Sequence, residues 1–172
     1  MSCCVFRARQ NMSRALGWVS AVAVAGLAAG PSSASVERFQ DWEVACVDGG
    51  GCVAATTAVA EDRTWLGTVR VREMDDAGGP VMQILAPAGI HLASGLFVEL
   101  PGRSVKQATF IRCDAGVCEA QLSLTDAEFQ TWRRGLDAEI RYRPHVDVSP
   151  IVFEVSLLGI TAAMRRAREL SE

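Results

Sequence analysis

Histidine is nearly missing from this chain of 172 residues; only His91 and His145 occur. Acyl-transfer hydrolases often rest on a histidine set between a nucleophile and an orienting acid. Neither histidine lies in a nucleophile motif, and the patterns G-x-S-x-G, Walker A, H-E-x-x-H and S-x-x-K are all lacking. His91, in Gly89-Ile90-His91-Leu92, is expected on a short strand beside a turn. His145, in Pro144-His145-Val146-Asp147, is expected in a loop, and both are expected to be exposed or structurally satisfied. A C-x-x-C pair is lacking too, which speaks against thiol–disulfide exchange chemistry. Excess positive charge is lacking, since the formal net charge is −3, and this argues against a nucleic-acid partner. What remains is a globular composition, 49% hydrophobic and 22% charged, long enough for one domain behind a leader.

The leader has the layout of a secretory signal peptide. Arg7, Arg9 and Arg14 form a basic region with no acid near them, Ala15 to Gly30 is an unbroken run of apolar and small residues, and Ser32-Ser33-Ala34 is a small-x-small cleavage signal. The apolar run falls short of the roughly 20 residues a membrane span needs. A twin-arginine pair and a lipobox cysteine are both lacking from this leader, so the expectation is export and cleavage after Ala34, with synthesis starting at Met1 or Met12. The rest, residues 35–172, carries 14 basic and 20 acidic residues and holds no second run long enough to span a membrane.

Most of residues 35–172 alternate with a period of two. Trp42, Val44 and Cys46 alternate with Asp41, Glu43 and Ala45. Leu96, Val98 and Leu100 flank an outward Phe97 and Glu99. Ala138, Ile140 and Tyr142 alternate with Glu139, Arg141 and Arg143, and Ile151, Phe153, Val155 and Leu157 with Val152, Glu154 and Ser156. One-sided burial of this kind marks antiparallel strands. Gly-, Asp- and Pro-rich turns separate the runs, at 48–51, 75–80, 87–89, 101–102 and 114–116, which fits a sandwich or barrel. Two helices interrupt the pattern. Thr125-Asp126-Ala127-Glu128 is a capping box, with Leu124 and Phe129 placed for a hydrophobic staple, and the helix is expected to reach Arg134 and stop at Gly135. A second helix is expected over Thr161 to Leu170, burying Ile160, Ala163, Met164, Ala167 and Leu170 on one face and leaving Arg165, Arg166 and Arg168 mostly off it.

Four cysteines follow the leader: Cys46, Cys52, Cys113 and Cys118. An even count in an exported chain reads as two disulfides. The economical pairing is 46–52 and 113–118, each closing one hairpin, and each cysteine has the parity of its strand's apolar face. Closing such short loops stabilises by roughly 2 kcal/mol, against roughly 4 for a 46–113 link, but geometry decides between them. A four-cysteine zinc site is disfavoured by the oxidising context and by spacings wider than zinc ribbons favour, so no metal and no cofactor is expected. Among the aromatic residues, Trp42 and Trp132 are expected in the core. Trp65, after the polar Glu61-Asp62-Arg63-Thr64, is expected to be partly exposed, and Phe97 is the large apolar residue with outward parity. Trp65 and Phe97 are therefore the candidate binding residues; the alternative for Phe97 is cover by a helix or a second sheet.

Four motifs in order resemble the invasion-associated locus B family. Trp42-Glu43-Val44-Ala45-Cys46 is similar to its W-x-V-x-C opening, and Ala86-Pro87-Ala88-Gly89-Ile90-His91-Leu92-Ala93-Ser94-Gly95 to its central L-P-x-G element. Cys113-Asp114-Ala115-Gly116-Val117-Cys118-Glu119-Ala120 looks like its cysteine hairpin. Ser156-Leu157-Leu158-Gly159-Ile160-Thr161-Ala162-Ala163 looks like its closing S-L-x-G-F-T-A-A, with Ile160 in place of the aromatic. The resemblance implies an immunoglobulin-like antiparallel β-sandwich with two short helices, in the envelope of a Gram-negative bacterium, without enzyme activity. The expectation is thus a non-enzymatic exported module that binds a protein or envelope component in the periplasm or at the outer surface, with a link to host-cell invasion through the family's name. The alternative is a periplasmic enzyme or enzyme inhibitor with a site assembled from loops.

Overall fold

The computed structural model describes residues 36–47, 51–73, 79–100, 104–114 and 116–172. The expected leader and its cleavage after Ala34 lie outside the described residues, as do the turn at 101–102 and most of the turns at 48–51 and 75–80.

Among the described residues, ten strands run in chain order as β1 (Glu37–Phe39), β2 (Trp42–Val47), β3 (Gly51–Val59), β4 (Trp65–Arg72), β5 (Val81–Pro87), β6 (Leu96–Leu100), β7 (Ser104–Asp114), β8 (Val117–Ser123), β9 (Asp137–Tyr142) and β10 (Ile151–Ser156). A 3₁₀ turn, Leu92–Ser94, precedes β6, and helices α1 (Asp126–Trp132) and α2 (Ile160–Ser171) follow β8 and β10. The strands are antiparallel and ordered β1-β2-β3-β4-β5-β8-β7-β6-β9-β10. The sheet folds over on itself through β7, whose Ser104–Ala108 half pairs with β6 while its Thr109–Asp114 half pairs with β8. Ile111 is skipped in the second pairing, a bulge that bends the strand between the layers. The expected antiparallel sandwich therefore forms as a seven-stranded layer and a four-stranded layer that share β7.

The inner faces supply the core. Leu96, Val98, Leu100, Ala138, Ile140, Tyr142, Phe153 and Val155 from the smaller layer meet Trp42, Val44, Ala54, Val69, Val71, Met82 and Ile84 from the larger. This is the parity the alternation implied, because a half-buried strand must send every second side chain inward. Two polar handles tie the layers. The Trp42 indole N–H donates to the Ser156 carbonyl at 2.8 Å, and the Tyr142 hydroxyl donates to the Leu66 carbonyl at 2.9 Å. Burial also raises the Tyr142 phenol above its ordinary pKa, so the donor stays protonated.

Helix α1 begins on the capping box read from the sequence: Thr125 Oγ1 accepts from Glu128 N, and Glu128 Oε2 accepts from Thr125 N at 2.8 Å. Leu124 and Phe129 are both buried, and Trp132 meets Trp42 edge-on with ring centroids 6.4 Å apart. The helix ends at Trp132 rather than Arg134. Its last turn tightens through Arg134 N to Thr131 O and Gly135 N to Trp132 O, so three-residue bonding stops it and not a left-handed glycine.

Helix α2 docks Ile160, Ala163, Met164 and Ala167 into the core. Leu170 is 42% exposed, against expectation, because Ser171 and not Leu170 takes the inward position of the last turn, its Oγ accepting from Cys52 N on β3 at 2.9 Å. Gly159 makes the junction possible: its φ of 96° is left-handed, and a Cβ there would overlap the Phe39 carbonyl. Arg166 pairs bidentately with Glu37, both contacts 2.8 Å, and Arg168 pairs with Glu73. Among the described residues, no helix is long and apolar enough to cross a membrane.

Both expected disulfides close directly opposed cross-strand pairs, Cys46–Cys52 on β2–β3 and Cys113–Cys118 on β7–β8, each with Cα atoms 4.0 Å apart. The shared parity holds in the register, Cys46–Cys52 continuing the face of Val44 and Ala54 and Cys118 that of Ala120, but burial does not follow at every cysteine. Cys118 is buried, but Cys46 and Cys113 are exposed, since both sit at strand ends beyond the sandwich core.

Candidate binding face

The outer face of the smaller layer is built by the residues between the core positions. Register sets them in cross-strand rows. Phe97 on β6 stands opposite Gln107 on β7 and Arg141 on β9, and Arg141 stands opposite Val152 on β10. One row further, Glu99 faces Val105 and Glu139, and Glu139 faces Glu154. The Arg141 guanidinium carbon lies 5.9 Å from the centre of the Phe97 ring, within cation–π range. Arg141 Nη1 also stands 3.8 Å from Glu139 Oε1. Phe97 is half-buried, held under the arginine and beside the 3₁₀ turn.

Next to that ring opens a cleft of about 240 Å³ lined by Ser94, Gly95, Phe97, Arg141, Tyr142, Arg143 and Pro150. Gly95 has a φ of 76°, and a Cβ there would come within 2.7 Å of Gln107 Nε2 and 3.1 Å of the Phe97 ring. Only glycine lets the chain pass this closely under Phe97. The His91 N–H donates to the Arg143 carbonyl at 2.8 Å and joins the turn to the end of β9. His91 thus caps the 3₁₀ turn instead of lying on a strand; the Pro87-Ala88-Gly89 turn uses up the residues that would have extended β5. His91 Nδ1 lies 2.7 Å from Ser94 Oγ, and the His145 ring is 6.4 Å from that of His91. His145, in its expected loop, stands 3.7 Å from Asp147, both exposed.

Trp65 is half-buried, with its indole donating to Thr68 Oγ1 on its own strand at 3.1 Å. It lies on β4 of the larger layer and does not line the cleft, so the two candidate residues do not form one site. Arg141, Arg143 and Ser94 were not singled out from sequence. Their signal was the outward parity of Arg141 and Arg143; the missing knowledge was the register that brings them to Phe97.

Two larger hollows lie elsewhere. One of about 400 Å³ lies beside the end of α2 at β3 and β4, with Arg72, Glu73, Arg168 and Glu172 in its lining and Arg168 paired with Glu73. The other, about 350 Å³, lies between β10 and β2–β3 around Arg38, Glu43 and Glu154. Among the described residues, no three His, Cys, Asp or Glu side chains are grouped closely enough to hold a metal ion.

Residues 42–168 match the family model described as Invasion associated locus B (IalB) protein. The chain belongs to this family. Two invasion protein B homologs of Brucella abortus, from strain 2308 and from biovar 1 strain 9-941, are each 28% identical to it over 148 residues, covering 83% of this chain and 84% of theirs. The crystal structure of invasion associated protein B from Bartonella henselae shares the fold, with a TM-score of 0.69 at 17% identity over 79% of this chain and 97% of that one. In this invasion-associated locus B protein, three of the four motifs serve the frame: β2 with Trp42, the Cys113–Cys118 hairpin, and the β10–α2 junction at Gly159. The fourth, Ala86 to Gly95, builds the 3₁₀ turn at the cleft.

Proposed function

We propose that this protein is an exported, non-catalytic binding module of the bacterial envelope that presents the outer face of β6 and β9 to a protein or envelope component. The observation that carries the reading is Phe97: a large aromatic ring on a sheet face over which no described element packs, topped by Arg141 and bordered by a cleft. The order of the leader supports export, and so do two disulfides, which persist in oxidising compartments. The relatives are named for invasion, and a contribution to contact with a host cell is part of the proposal. Intact mass of protein recovered from the periplasm tests export. A mass retaining residues 1–34 would defeat it. Capture from envelope extract on immobilised mature protein tests the face: Phe97→Asp should lose a partner that wild type retains, and equal capture would remove Phe97 from the contact.

The second reading, an enzyme, draws on the close contact of His91 with Ser94. The surroundings do not complete an acyl-transfer site. Asp147 approaches His145 and not His91, and the amides of Ser94 and Gly95, the nearest donors for an oxyanion, already donate to His91 O and Leu92 O within the turn. A hydrolase screen with Ser94→Ala as control tests this. Turnover lost in that variant would favour the enzyme.

A further inference from the structure

Resting on the binding reading above and going one step deeper, we propose that the cleft beside Phe97 takes a ring-bearing oxyanion, a carboxylate or phosphate carried on a single six-membered ring, sugar or aromatic. The charge of the lining points to the anion. Two arginines, Arg141 and Arg143, are among the lining residues, and no acidic residue is. Arg143 spends one N–H on the neutral Val148 carbonyl at 2.7 Å, which fixes the fork without cancelling its charge, and it enters no ion pair among the described residues. Arg141 meets an acid only at 3.8 Å, through Glu139, and rests against the Phe97 ring. Planar guanidiniums fixed in this way suit bidentate contact with an oxyanion.

The ring follows from the shape. Phe97 and Pro150 give the cleft an apolar wall, Ser94 adds a hydroxyl steadied by His91, and Gly95 lets the chain pass beside the Phe97 ring without a Cβ against it. A volume of about 240 Å³ falls below the 300–1,000 Å³ typical of drug-sized ligands and suits one ring with its charged substituent. One row away, Glu99, Glu139 and Glu154 confine the anion to this end of the face and fix its orientation. His145 and Asp147, in the loop after β9, are both exposed and stand 3.7 Å apart.

The test is a chemical-shift titration of the mature protein with phenyl phosphate, glucuronate and benzoate, each beside a neutral counterpart: benzyl alcohol, glucose and benzamide. The expected result is saturable shifts at Ser94, Phe97, Arg141 and Arg143 for at least one anion, with its neutral counterpart at least tenfold weaker. Arg141→Gln should weaken that anion at least tenfold at an unchanged melting midpoint, while Arg141→Lys should recover part of the loss. A preference among the three probes identifies the source, phosphate or carboxylate, sugar or arene. Equal binding of anion and neutral counterpart, or the lack of any shift at these residues, would overturn the proposal. If Phe97→Asp abolishes partner capture while Arg141→Gln and saturating anion leave it intact, the anion proposal fails and the binding face stands.

Discussion

The two faces of the smaller layer are made by alternate residues of the same strands, yet they obey different rules. On the inner face, Leu96, Val98, Ile140, Ala138 and Phe153 are all buried, chemically uniform and packed against the larger layer. On the outer face, the neighbours of those residues include an aromatic ring under an arginine and three glutamates in one cross-strand row, Glu99–Glu139–Glu154. Like charges directly opposite one another destabilise a sheet, by a few tenths to about 1 kcal/mol per pair. A packed interior cannot carry such a row; an uncovered face can, so the outer face is where chemistry other than packing has room. The larger layer differs again. It holds both disulfides and the docked α2, while β6, β9 and β10 of the smaller layer carry no disulfide and rest on burial.

That contrast can be broken most heavily from the inside. Ile140→Ala should cost about 2–5 kcal/mol, since it opens a cavity in a closed core, whereas Arg141→Ala, one residue along, should cost about 1 kcal/mol or less; urea melts of the two variants check this. Cys113→Ala should cost about 2–5 kcal/mol by the same measurement, with added exposure to wrong pairing through Cys118. Non-reducing peptide mapping should find 46–52 and 113–118 each within its own short peptide. A peptide joining the Cys46 and Cys113 regions would contradict the structure.

A smaller effect sharpens the edge between the faces. Lys106 lies on the inward parity of β7 and reaches Glu128 of the α1 capping box at 2.7 Å. The hydrogen bond from Lys106, followed by that from the Thr125 N–H, holds the Glu128 carboxyl below its ordinary pKa. A carboxylate with a depressed folded-state pKa stabilises above its unfolded value, about 4.3, and that share is lost as the pH falls from there through the lowered folded value. Melting midpoints between pH 7 and pH 2.5 should therefore drop less steeply in Glu128→Gln than in wild type. The smallest effect expected is from Glu139→Gln. Removing the middle charge of the glutamate row relieves two repulsions and gives up a long contact to Arg141, for a net gain of about 0.5 kcal/mol or less.

The parts of this fold that were legible in the sequence are those that local patterning decides. Alternation placed Leu96, Val98, Ile140 and Tyr142 inside, Thr125 and Glu128 announced α1, and short loops paired the cysteines. What could not be read is what distant strands decide. The split of β7 between layers, with Ile111 as the bulge, depends on partners on both sides of it. The same holds for Phe97 meeting Arg141, a register between residues more than 40 positions apart. His91 was misplaced because its segment has strand-like residues but no strand left to pair with. Leu170 was misplaced because it lies at the edge of the helical stripe, and the contact of Ser171 with Cys52 on β3 decides which residue of the last turn faces the sheet.

The difference between the two faces is tested most directly by thermal melts of Phe97→Asp and Val98→Asp side by side. Phe97→Asp should melt within about 5 °C of wild type, the shift for a loss near 1 kcal/mol in a domain of this size. Val98→Asp places an unpaired charge in the core and should fail to fold or melt far lower. A comparable collapse in both variants would make Phe97 part of the core and contradict the binding face.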